Sequence, residues 1–82
     1  MEDIFPNPSE LIACVSINTE NSVDARIAVV DMLGREVQLI YNGTLPYGNS
    51  KHFISTEILP AGSYLVELRV GEKRMTKKLV VK

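Results

Sequence analysis

One imidazole and one thiol limit the chemistry available to this chain of 82 residues. His52 has serine hydroxyls close by at Ser50 and Ser55, the residue types of a nucleophile and its general base. Adjacent positions of an extended segment face opposite ways, however, and no Asp lies there to orient the ring. His52 is therefore expected to be a surface or half-buried histidine. Cys14 sits among Ile12, Ala13 and Val15, where a thiol behaves as a small hydrophobe. Being alone, it closes no intrachain disulfide, and one His without a cysteine cluster makes no structural zinc site. Glu2, Asp3 and Glu10 near the start, with Glu20, Asn21 and Asp24 further on, lack the alternating ligands and central glycine of a calcium loop. The glycines each stand alone at turns, so no phosphate-cradling loop forms. No catalytic residue, metal or cofactor is expected, and the chain is not expected to be an enzyme.

The elements that would carry these side chains are almost all of period two. Leu11, Ala13, Val15 and Ile17 alternate with Ile12, Cys14, Ser16 and Asn18, as a half-buried strand requires. Residues 19–22 make a turn. Residues 26–31 carry Ile27 and Val29 on one face and Ala28 and Val30 on the other, so both sides read as covered. Gly34 then supplies a hairpin turn, and residues 36–42 alternate Val37, Leu39 and Tyr41 against Glu36, Gln38 and Ile40. After a polar link, residues 50–56 pair His52 and Ile54 on one face against Lys51, Phe53 and Ser55, with the inward face undecided. Pro60 and Gly62 mark the next turn. Residues 63–70 place Tyr64, Val66, Leu68 and Val70 inward and Glu67 and Arg69 outward, and residues 73–82 close the chain. Six strands, or seven if Ile4-Phe5 pairs, with no sustained helical period, predict an all-β, immunoglobulin-like sandwich in a single domain. Tyr64 opens its strand just after a turn, the position of a tyrosine corner.

Nine Lys plus Arg against ten Asp plus Glu give a formal charge of -1, which attracts neither nucleic acid nor an anionic membrane. The bases are uneven: Arg69, Lys73, Arg74, Lys77, Lys78 and Lys82 crowd the end. Lysines along a terminal strand fit a protected sheet edge, and equally a strip that a partner reads by charge and strand addition. No apolar run reaches the length of a membrane span, and the opening residues lack the pattern of a signal peptide.

Four blocks in order are familiar. Phe5-Pro6-Asn7-Pro8, Val30-Asp31-Met32-Leu33-Gly34-Arg35-Glu36-Val37, Leu59-Pro60-Ala61-Gly62-Ser63-Tyr64-Leu65-Val66-Glu67-Leu68 and Lys77-Lys78-Leu79-Val80-Val81-Lys82 together resemble the C-terminal sorting domain of the type IX (Por) secretion system, type A. The resemblance runs from about Ile4 to Lys82. It implies a label carried at the end of a longer cargo protein that has its own signal peptide. The label would cross the periplasm, direct passage through the outer-membrane translocon, be bound by a shuttle protein, and be removed by a sortase-like peptidase at the cell surface. On that footing Pro6, Asn7, Pro8, Asp31, Gly34, Leu59, Pro60, Gly62 and Tyr64 are fold-determining motif positions, and Lys77 to Lys82 are the expected recognition element. No cargo or signal peptide is present, so the chain is expected to be cut or truncated from a longer protein.

Two other readings remain open at this level. An immunoglobulin-like adhesion or carbohydrate-binding module would need an exposed aromatic platform, for which Tyr41, Tyr47 and Phe53 are the candidates. A structural spacer would tolerate changes at its C-terminus. A weak homodimer through the terminal strand is a further expectation.

Overall fold

The computed structural model describes Ile4 and residues 12–82. Six strands follow in order: β1 (Ile12–Thr19), β2 (Val23–Asp31), β3 (Glu36–Leu45), β4 (Gly48–Ser55), β5 (Gly62–Val70) and β6 (Lys73–Val81), and no helix occurs among the described residues. Every pairing is antiparallel. β1 and β4 form one sheet, and the other runs β3-β2-β5-β6. This is the all-β, immunoglobulin-like sandwich that the spacing of turns predicts. Ile4 is buried in the core but lies outside any strand, and Phe5, Pro6, Asn7 and Pro8 fall outside the described residues.

The alternation in sequence becomes the two faces of each sheet. Ala13, Val15 and Ile17 of β1 are buried, and the β1–β4 register sets Ala13 opposite Ile54 and Val15 opposite His52. The same register decides the inward face of β4. Ile54 is fully buried there, while Phe53 projects outward at 65% exposure. From the larger sheet Ala25, Ile27, Val29, Tyr64, Val66, Leu68, Leu79 and Val81 close the core. Full burial of a side chain such as Ile27 or Leu68 contributes about 1.5–3 kcal/mol.

β3 departs from the expected alternation. Val37, Leu39 and Tyr41 do not share one face, because register shifts between Ile27 and Ala28 and between Val29 and Val30 insert extra residues on the β3 side. Tyr41, opposite Ile27, packs on the core together with Ile40. Leu39, opposite Ala28, faces away from it and is exposed.

Glu67 keeps its expected outward direction but not an open surround. It points away from the core as its parity requires, yet it is only 7% exposed, because Arg69 and Arg74 close over it. Ala28 and Val30, covered on both sides as expected, are buried on this same outer face.

Candidate recognition site

Asp31 builds the first motif turn. Its Oδ1 accepts from the backbone N–H groups of Leu33 and Arg35, both at 2.9 Å, and its Oδ2 accepts from Arg35 Nε at 2.8 Å. The Asp31 backbone closes the hairpin, accepting from Gly34 N at 3.0 Å and donating to Arg35 O at 2.9 Å. The amide of Arg35, foremost, and then its guanidinium and the Leu33 amide hold the Asp31 carboxyl below the usual carboxylate range against a smaller opposing effect of burial. Gly34 has φ of 85° and Gly62 φ of 153°, with open space where a Cβ would stand. The requirement for glycine is conformational, not steric.

The second motif turn is held by Leu59 and Tyr64. Leu59 N donates to Thr56 O at 3.1 Å, and the Leu59 side chain is buried. The Tyr64 hydroxyl donates to the Pro60 carbonyl at 2.5 Å, the tyrosine corner that its position predicts. β2 and β5 set Asp31 directly opposite Tyr64, so the two turns meet at one end of the sandwich and together line a cleft of about 380 Å³. Sequence separation hides this meeting, since the blocks lie some thirty residues apart and only the β2–β5 register joins them.

The chain's ending arrives at the same place. Leu79 lies opposite Tyr64, Val80 opposite Ser63 and Val81 opposite Gly62. The six residues then divide. Leu79 and Val81 are core side chains at 0% and 3% exposure, whereas Lys78 and Lys82 are exposed and Lys77 and Val80 half-buried. An apolar strip of Leu79, Val80 and Val81 offered to a partner is thus not what the fold presents. β6 is the outermost described strand on its side of the sheet, and Lys77, Lys78, Val80 and Lys82 are each engaged by further interactions.

The residues with chemical potential are placed differently from expectation in one respect. Ser50 and His52, two apart, share the inward face, and Ser50 Oγ lies 3.0 Å from His52 Nε2. The ring of Tyr41 stands 4.9 Å from the imidazole, and burial holds the His52 pKa below its ordinary value. Ser55 is on the other face, and its backbone N–H and carbonyl exchange two hydrogen bonds with the Gln38 side chain, tying β4 to β3 across the sheets. Cys14 is a half-buried free thiol opposite Phe53. Asp24 accepts from Thr44 Oγ1 at 2.8 Å, and no group of three metal-ligating side chains occurs among the described residues. Tyr41, Tyr47 and Phe53 make no common platform: Tyr41 packs against the core, Tyr47 stands in the link after β3, and Phe53 projects from the outer face of β4.

A charge network on the outer face of the larger sheet has no counterpart in the sequence reading. Arg26, Arg69 and Arg74 stand in one cross-strand row on β2, β5 and β6. Like charges so placed repel, and two carboxylates answer them. Glu36 pairs with Arg26 at 2.5 Å, and Glu67 pairs with both Arg69 and Arg74. The outward placing of Glu67 and Arg69 follows from the alternation within their strand, but the registers that align the three arginines leave no mark in the sequence.

The sequence model of the family described as "Secretion system C-terminal sorting domain" matches residues 3–82. The chain belongs to this family. No curated protein and no solved structure matches it. As a type IX sorting domain it serves as a C-terminal secretion signal, which implies an attached cargo protein, an interaction with the type IX machinery and export to the cell surface or beyond. In the sorting domain the blocks at Asp31–Gly34 and Leu59–Tyr64 are turns locked by their own hydrogen bonds, and the ending is knitted to the second of them.

Proposed function

We propose that this sorting domain, folded in the periplasm, carries a covalently attached cargo through the outer-membrane translocon of the type IX system, is held there by a shuttle protein, and is cut off by a sortase-like peptidase. The domain is substrate and signal in these steps and catalyses none of them. The observation that carries the reading is the match of nearly the whole chain to the family, with two of its motif blocks converging on one pole of a rigid sandwich. A signal read in folded form needs such a fixed surface, because ordering it on binding would cost affinity.

Within the terminal six residues, the exposed lysines at 78 and 82 are proposed to face the receptor, while Leu79 and Val81, on the opposite face of the strand with half-buried Lys77, act by holding the fold. The test is a reporter bearing a signal peptide and this domain at its C-terminus, expressed in cells with and without a working translocon. Surface display in the competent cells alone is expected. Periplasmic retention of a folded fusion in both would overturn the reading.

A further inference from the structure

Among the described residues nine large apolar side chains are exposed, and three of them, Met32, Leu33 and Val37, line the cleft where the two motif turns meet. Single exposed apolar residues mean little, but a cluster at one end of a small domain is informative. The tip is the sharpest case. Met32 and Leu33 are 63% and 80% exposed at positions where turns usually carry Asn, Asp or Gly. The geometry of the turn is already satisfied by the Asp31 carboxylate and by Gly34, so it requires no apolar side chain at either position. What the fold does instead is hold two apolar side chains out in water.

The charge beside them has a definite sign. In the Asp31–Arg35 pair the guanidinium side chain is 73% exposed and the carboxylate 17%, with the acid turned inward onto the turn amides. A partner approaching this tip meets two aliphatic groups flanked by a cation. We infer that the Met32–Leu33 tip is a docking element for a protein receptor of the export machinery, one that offers an apolar recess with a carboxylate on its rim. The inference rests on the reading of the chain as a sorting signal. A protein recess fits better than a bilayer, because Asp31 and exposed Glu57 in the adjoining turn offset Arg35 and the exposed Lys82 at the end of β6, which leaves no excess charge to hold the pole on anionic lipid.

The test uses the reporter fusion with Met32→Ser and Leu33→Ser together, beside Met32→Leu with Leu33→Met. Export of the parent fusion to the surface is the reference, and its failure would overturn the sorting reading itself. The serine pair is expected to reduce surface display at least about tenfold with the melting temperature of the domain unchanged, and the conservative pair to restore it. Should the double variant melt early, Leu33→Ser alone, at the most exposed position, is compared instead. Normal display of a folded serine variant overturns the inference and leaves the sorting role intact. Flotation of the purified domain with phosphatidylcholine–phosphatidylglycerol vesicles, lost in the serine variant, would assign the tip to lipid and likewise overturn it.

Discussion

The hydroxyl of Tyr64 reaches back four residues to the carbonyl oxygen of Pro60, while its ring sits at 7% exposure in the core. One side chain thereby fixes both the turn and the start of β5. Tyr64→Phe removes only the hydrogen bond and is expected to cost about 1 kcal/mol, with Pro60 exposed to water that can take over. Tyr64→Ala also opens a cavity and is expected to cost about 3–5 kcal/mol, enough to unfold much of so small a domain. Urea titrations of the two variants check the split. Equal losses would mean that the hydroxyl, not the ring, carries the turn.

Asp31 predicts an acid-sensitive turn. Its folded pKa is lowered, chiefly by the Arg35 amide, so its contribution to stability is complete above the unfolded carboxylate value and is lost as pH falls through the lower folded value. Glu36, lowered chiefly by its hydrogen bond from Arg26, acts in the same direction. His52, lowered by burial, also loses stability as pH falls, but earlier, from about 6.5 downward. Asp31→Asn keeps an acceptor for the turn amides and removes the charge. It is expected to flatten the acid limb below about pH 4 while leaving the slope near pH 6 unchanged, in denaturation midpoints measured from about pH 7 to pH 3.

Strand count, sandwich class and the inward faces of β1 and β5 were legible because period-two alternation maps directly onto burial, as at Ala13, Val15 and Ile17 or Tyr64, Val66 and Leu68. β3 was misread for a physical reason. A bulge adds a residue without leaving a compositional mark, so Leu39 and Tyr41 look equivalent in sequence and end on opposite faces. The site was partly legible: Gly34, Pro60 and Gly62 stand out as turn residues, Tyr64 as a corner tyrosine and Asp31 as a position of the family motif, but their convergence depends on the register of β2 with β5. Glu67 was read by parity alone, which gives the direction of a side chain and not what covers it.

Glu67 is the counter-charge on which the arginine row depends. Its carboxylate, 9% exposed in the side chain, pairs with both Arg69 and Arg74, which are more than half exposed. Glu67→Ala is expected to cost about 1–3 kcal/mol, between the values for surface and buried pairs, since it leaves the guanidinium groups facing one another with water as partial relief. Glu67→Gln, which keeps the shape, should recover part of that. Adding salt to the Ala variant should reduce its deficit by screening the arginines, and a deficit indifferent to salt would point to lost packing.

The terminal strand allows fold and recognition to be separated. Leu79 is fully buried opposite Tyr64, so Leu79→Ala is expected to cost about 2–5 kcal/mol and to block export by unfolding the domain. Deleting the last six residues would do the same, and says nothing about contact with a receptor. Lys78, exposed one position earlier, is a better probe. Lys78→Glu reverses a charge without opening the core, and a change of about 0.5 kcal/mol or less in stability is expected. If the lysines are read, surface display of the Lys78→Glu reporter falls several-fold while its melting curve overlays the parent's. Wild-type display from that folded variant would place the whole role of the ending in the packing of Leu79 and Val81.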